Sequence, residues 1–80
     1  MTQHEFDAFL CAVCHVDSVD PSAPLADQGV DSLATLSLLV AIEDEFDVEI
    51  DPDALARGEL STSAALRAHV ADALATEVPA

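Results

Sequence analysis

Residues 29–51 decide the fold and read GVDSLATLSLLVAIEDEFDVEID. This stretch predicts a helix from about Ser32 to Phe46, because Asp31 is a good N-cap and Gly29 can adopt a positive φ in the turn before it. The alternating apolar and acidic residues after the helix end at an Asp-Pro pair, which favours a loop pinned to a core over a strand.

The predicted helix carries two apolar arcs when it is projected at about 100° per residue. One arc can face a core and consists of Leu38, Leu39, Ile42 and Phe46. The opposite arc is the apolar stripe of Leu33, Leu36 and Val40, and it ends beside an acidic rim of Glu43 and Asp44. A small bundle seldom buries a helix on both sides, so the stripe is either covered by the preceding loop or exposed for a partner.

Helices are also predicted on both sides of this segment. The first runs from about Thr2 to about His15 and opens with a capping box. Residues 17–30 form a long loop, a short helical turn follows at Pro52 to Arg57, and the last helix runs from about Thr62 to about Thr76. The prediction is therefore an all-α four-helix bundle with three main helices and a short third helix.

Length and charge limit the classes of protein to which the chain can belong. Eighty residues make one small domain, which we expect to span residues 1–80 with a frayed tail at residues 76–80. Sixteen acidic residues face two basic ones, and the formal net charge of −14 argues against nucleic acid or an anionic membrane as a partner. No run approaches the roughly 18 apolar residues of a membrane span, and no secretory signal is visible. We expect a cytoplasmic monomer with basic protein partners.

Ser32 is the candidate functional residue, because it places a hydroxyl at the mouth of the central helix. The free amides and the positive end of that helix would stabilise a phosphate esterified there. A simpler alternative is a helical interaction module in which Ser32 is only a second capping residue.

The segment resembles the signature of the acyl and peptidyl carrier proteins, which combines a Gly-x-Asp-Ser-Leu motif, an apolar helix and a Glu-x-x-Phe segment leading to an Ile. Upstream, Val19-Asp20-Pro21 and Leu25-Ala26-Asp27 resemble the loop before the family's serine, and the resemblance covers nearly the whole chain. It implies a carrier rather than an enzyme, with no catalytic residues and no metal site. In the family, a phosphopantetheinyl transferase uses coenzyme A and Mg²⁺ to attach 4′-phosphopantetheine to the serine, here Ser32, and the cargo is a thioester on the arm.

The resemblance also assigns roles to other residues. Asp31 would cap the helix and contribute to transferase or metal recognition. The apolar stripe and the acidic rim match the surface that meets basic patches on partner enzymes. The space between the helices, where some members shelter an acyl chain, would be lined by Leu38, Ile42, Phe46, Leu66 and Val70. Further expected partners are a loading acyltransferase or adenylating enzyme, and downstream condensing or tailoring enzymes.

Four residues depart from the family's usual pattern. Ala34 and Ser37 stand where fatty-acid carriers usually bear acids, Gln28 where many members have Leu, and Ser63 where an apolar residue usually opens the last helix. These departures favour a discrete carrier of a specialised polyketide, nonribosomal peptide or hybrid pathway over the fatty-acid carrier. Asp31, just before Ser32, favours an acyl over an aminoacyl cargo, so we expect an acyl carrier of a polyketide or hybrid natural-product pathway. The alternatives are an aminoacyl or peptidyl carrier of a nonribosomal peptide pathway and a carrier of fatty-acid synthesis.

A second motif, Cys11-Ala12-Val13-Cys14-His15, fits the CxxCH pattern of covalent haem attachment. The two thiols would add to the haem vinyls, and His15 would ligate the iron. Such attachment normally happens outside the cytoplasm, and the only methionine, Met1, is a poor axial ligand. A small c-type haem protein is thus a third alternative, beside the interpretation of Cys11 and Cys14 as reduced, partly buried core residues.

Overall fold

The computed structural model describes residues 2–76, which form four α-helices and no strand. The helices are α1 (Gln3–Cys14), α2 (Ser32–Phe46), α3 (Pro52–Ala56) and α4 (Ser63–Thr76), and a 3₁₀ turn (Leu25–Gln28) lies between α1 and α2. This confirms the all-α bundle with a short third helix; the 3₁₀ turn was not predicted. Of the predicted frayed tail, residues 77–80 lie outside the described residues, whereas Thr76 ends α4.

Side-chain caps set the starts of α1 and α2. The Thr2 hydroxyl accepts the Glu5 N–H at 3.1 Å, and the Glu5 carboxylate accepts the Thr2 N–H at 2.9 Å, as in the predicted capping box. Hydrogen bonding of Thr2 to the Glu5 carboxylate, above all from the Thr2 backbone N–H, lowers the pKa of Glu5. At the start of α2, the Asp31 carboxylate accepts the Ala34 N–H at 2.8 Å, after a turn in which Gly29 has a φ of 88°.

The core lies where α1 packs against both α2 and α4. Its completely or almost completely buried apolar side chains are Phe6, Leu10, Val30, Leu38, Ile42, Leu66 and Val70. The Phe46 ring lies against two rings of α1, with centroid distances of 6.3 Å to Phe6 and 5.5 Å to Phe9. Val48 and Ile50 are buried between exposed acidic neighbours, so the alternating segment is a loop pinned to the core, as predicted.

A polar cluster joins the N-terminal ends of α1 and α4. Ser63 is fully buried, and its hydroxyl donates to Asp7 Oδ1 at 2.7 Å and accepts from Gln3 Nε2 at 3.2 Å. Gln3 also donates to Asp7 at 2.9 Å and accepts the Arg67 Nε–H at 2.8 Å. A serine is therefore tolerated where the family usually has an apolar residue, because its hydroxyl is satisfied in both directions.

Removing this hydroxyl should destabilise the fold. Ser63→Ala leaves Asp7 and Gln3 without their shared partner, so we expect the free energy of unfolding to fall by about 1–2 kcal/mol. Urea denaturation followed by far-UV circular dichroism measures the loss. Ser61→Ala is the control, because Ser61 is exposed and, within residues 2–76, only its backbone carbonyl takes part in a hydrogen bond. It should change the free energy of unfolding by less than about 0.5 kcal/mol. If Ser63→Ala lowers the free energy of unfolding no more than Ser61→Ala does, by less than about 0.5 kcal/mol, the Ser63 hydroxyl adds no stability.

Candidate functional site

Ser32 is the first residue of α2 and is exposed. The capping hydrogen bond is made by Asp31, and no hydrogen bond joins the Ser32 hydroxyl to another residue within 2–76. The alternative that Ser32 serves as a second cap thus has no hydrogen bond to support it. The hydroxyl is accessible at the positive end of a 15-residue helix whose first turn contains no acidic residue.

The turn that leads to Ser32 is held by the side chain of Gln28. Its oxygen accepts the Asp20 N–H at 2.7 Å, and its amide nitrogen donates to the carbonyl oxygens of Asp20 at 3.0 Å and Ala23 at 3.1 Å. A longer contact of 3.5 Å reaches the Pro24 carbonyl. We call this set of contacts the Gln28 cluster. From the sequence, Gln28 was expected only to differ from the usual leucine, and no role was predicted for it.

A groove beside Ser32 lies next to a mostly apolar inner pocket of about 200 Å³. Four residues line both cavities, namely Ala26, Val30, Thr35 and Leu55. The inner pocket lies between the loop, α2, α3 and the start of α4, and its larger apolar walls include Leu39, Leu60 and Leu66. The groove at the Ser32 end of α2 therefore shares a wall with an apolar pocket.

Leu66 is the one residue of the sequence-predicted cavity lining that lines this pocket. Leu38, Ile42 and Val70 are fully buried in the core, and Phe46 is half-buried against the rings of α1. Thr35 and Leu55 were not among the site residues predicted from the sequence. Thr35 could have been found, because a residue three positions after Ser32 shares its helix face, whereas the position of Leu55 depends on how α3 packs.

The apolar stripe is exposed. Leu33 is 76% exposed, and Leu36 and Val40 are each 58% exposed, so the loop before α2 does not cover them. In the acidic rim, Asp44 is exposed, whereas Glu43 is half-buried and its carboxylate accepts the Ile50 N–H at 3.0 Å. Of the two arrangements that the sequence left open, the structure shows the exposed one.

The CxxCH segment spans the end of α1. Cys11 and Cys14 are half-buried free thiols, and burial raises the pKa of the Cys14 thiol. His15 follows the helix with a left-handed φ of 58°, and its backbone N–H donates to the Cys11 carbonyl. The Cys14 thiol therefore loses its proton less readily than an exposed cysteine does. Within residues 2–76, no three His, Cys, Asp or Glu side chains are arranged to hold a metal ion, and no helix has the length and hydropathy to cross a bilayer.

Comparison with known proteins identifies the family. A family model described as "Phosphopantetheine attachment site" matches residues 6–70. The chain is 41% identical over 61 residues to a protein from Streptomyces coelicolor named "Acyl carrier protein", and the alignment covers 75% of this chain and 64% of that relative, less than two thirds of its length. No solved structure matches. The chain belongs to the phosphopantetheine-binding carrier family, whose members are carriers rather than enzymes and whose cofactor is a covalently attached 4′-phosphopantetheine.

The exposure of the stripe predicts a contrast between two leucines of α2. Leu38→Ala removes a side chain with no exposed surface and should lower the free energy of unfolding by about 2–5 kcal/mol. Leu36→Ala makes the same chemical change at an exposed position and should cost less than about 0.5 kcal/mol. Urea denaturation of both variants measures the contrast. A loss at Leu36 as large as that at Leu38 would mean that the stripe is packed in solution.

Proposed function

We propose that the protein is an acyl carrier in which Ser32 bears 4′-phosphopantetheine and presents thioester-bound acyl intermediates to the enzymes of a polyketide or hybrid natural-product pathway. The observation that carries this proposal is the exposed hydroxyl of Ser32 at the start of α2, which makes no hydrogen bond within residues 2–76 and lies inside the matched family region. We expect the protein to work in the cytoplasm.

The residues around Ser32 fit such a group. The Ser32 hydroxyl oxygen would form the phosphodiester, and the free N-terminal amides of α2 would stabilise its negative charge. Asp31 fixes the first turn of α2 by its bond to the Ala34 amide, which orients Ser32 toward solvent and the groove. When bound, the group supplies the thiol that holds the cargo.

The groove gives the cargo an apolar environment close to its attachment point. Thr35 and Leu55 stand at the junction of the groove and the inner pocket, so a chain entering beside Ser32 would pass between α2 and α3. A pocket of about 200 Å³ suits a short acyl group, because its walls are mostly apolar and its volume is small. The name of the Streptomyces coelicolor relative also supports an acyl rather than an aminoacyl cargo.

The partner surface is apolar at its centre and acidic around it. Leu33, Leu36 and Val40 offer side chains that a partner can desolvate, and Asp44 adds exposed negative charge at the end of the stripe. The net charge of −14 would attract basic patches on the transferase, the loading enzyme and the condensing or tailoring enzymes. Such attraction accelerates encounter more than it deepens affinity.

The attachment site can be tested by intact-mass measurement. Apo-protein incubated with coenzyme A, Mg²⁺ and a permissive phosphopantetheinyl transferase should gain one phosphopantetheinyl group, which peptide mapping should place on Ser32. Ser32→Ala should gain none and keep the wild-type far-UV spectrum, since no hydrogen bond of Ser32 is lost. Ser37→Ala, at an exposed serine on the same helix, should be modified normally. Modification of Ser32→Ala, or none on folded apo wild type, contradicts the proposal.

The partner surface can be tested by placing charge in the apolar stripe. Leu36→Asp should lower the kcat/KM of a partner enzyme by about tenfold, the effect of losing one anchor side chain of an interface. Leu74→Asp is the matched control, because Leu74 is also an exposed leucine, 42% accessible, but lies on α4. It should leave kcat/KM within about twofold of wild type, a change below 0.5 kcal/mol. Equal losses in the two folded variants would place the partner surface elsewhere.

A further inference from the structure

We propose that Gln28 is a positioning residue for phosphopantetheinyl transfer to Ser32. Through the Gln28 cluster it holds the loop before Ser32 in the conformation that the phosphopantetheinyl transferase binds. This inference rests on the proposed role of Ser32. It concerns a residue at which this chain differs from the family's usual leucine, and it follows from the hydrogen bonds of that residue.

The Gln28 side chain uses both of its polar atoms on backbone groups of one short segment. It accepts from the Asp20 N–H and donates to the carbonyls of Asp20 and Ala23, at distances between 2.7 and 3.1 Å. An amide is the side chain that can accept and donate in this way, because its oxygen and its NH₂ group lie side by side. A leucine would offer none of these bonds and would leave the backbone groups to water.

Apart from the Gln28 cluster, a local turn shapes the loop: the Asp20 carboxylate accepts the Ser22 N–H at 2.9 Å and the Ser22 hydroxyl at 2.7 Å, and the Asp20 carbonyl accepts the Ala23 N–H at 3.2 Å. In residues 17–24 no side chain is fully buried, and Val19 is only partly buried against the core. Two backbone bonds tie the loop to the start of α4, from the Leu25 N–H to the Ser61 carbonyl at 2.8 Å and from the Ala64 N–H to the Pro21 carbonyl at 3.1 Å. The Gln28 cluster adds the bonds that connect this tied segment to the turn entering α2.

That turn forms one wall of the groove beside Ser32. Ala26, Gly29 and Val30 line the groove on the loop side, and Thr35 lines it on the α2 side. Gln28 lies between Ala26 and Gly29, so its bonds fix the part of the chain that faces an enzyme approaching Ser32. Ordering a free loop costs conformational entropy at every residue. Without the cluster, the loop would have to become ordered when the transferase binds. The KM for the carrier would therefore rise, while the rate of the chemical step stayed the same.

Steady-state kinetics of phosphopantetheinyl transfer test the proposal, with apo-protein as the varied substrate. Gln28→Met keeps the length of the side chain and removes its polar atoms, whereas Gln28→Glu keeps the acceptor for the Asp20 amide and removes the donors. Both should raise KM by about fivefold, the size of one net hydrogen bond, with kcat within about twofold of wild type. Ser18→Ala, at an exposed residue of the same loop outside the cluster, should leave both constants unchanged.

Amide hydrogen exchange adds a direct structural readout. In Gln28→Met, which removes the acceptor, the Asp20 amide should exchange faster than in wild type if the cluster holds the loop. The assays are run at a temperature where circular dichroism shows every variant folded. Wild-type KM and kcat in both variants, despite faster exchange at Asp20 in Gln28→Met, would overturn the proposal. A higher KM in Gln28→Glu but not in Gln28→Met would also overturn it, since added negative charge would then be the cause. Absence of transfer to wild type itself would instead overturn the function proposed for Ser32.

Discussion

Burial of one face of α2 in the core that it shares with α1 is the constraint on which the rest of the structure depends. Leu38 and Ile42 have no exposed surface, and Leu39 is 8% exposed. Once these side chains are inside, the helix cannot rotate without exposing them, at a cost of roughly 1.5–3 kcal/mol for each large apolar side chain. The opposite face must then carry Leu33, Leu36 and Val40 outward. The same packing that stabilises the bundle therefore fixes which apolar side chains of α2 are exposed and the direction in which Ser32 emerges.

Hydrogen bonds replace apolar packing at two places where the family pattern is broken. Ser63 is fully buried, but Asp7 and Gln3 satisfy its hydroxyl, so the usual cost of burying a polar group is offset. Gln28 is half-buried and satisfies the backbone of the loop instead of filling a hydrophobic gap. Gln28 lies in the loop that leads to Ser32. Ser63 lies between Ser61 and Ala64, whose backbone groups tie that loop to the start of α4. Hydrogen bonds are directional, so this segment is specified more tightly than apolar contacts alone would specify it.

The parts of the fold that the sequence predicts are those set by local rules. The bounds of α2, its N-cap at Asp31 and its two apolar arcs follow from capping chemistry and helical periodicity, and the structure shows all three. The 3₁₀ turn was missed because four residues, LADQ, are too few to show a period. The partners of Gln28 and the place of Leu55 beside the groove depend on how separate segments meet, which residue spacing does not encode. The same holds for Glu43, whose position predicts an exposed acid but whose carboxylate binds the Ile50 amide.

The charge of the chain acts in opposite directions on folding and on encounter. Sixteen acidic residues face two arginines, and both arginines are engaged within the molecule, Arg57 with Glu59 and Arg67 with Gln3. An exposed ion pair such as that of Arg57 adds little stability, so most of the carboxylate repulsion stays uncompensated in the free protein. A basic partner would relieve this repulsion, because its cations would offset the uncompensated carboxylates. The burial of α2 in the core must therefore outweigh this repulsion while no partner is bound. The fully buried aliphatic and aromatic side chains of the core supply that stabilisation in a chain this acidic.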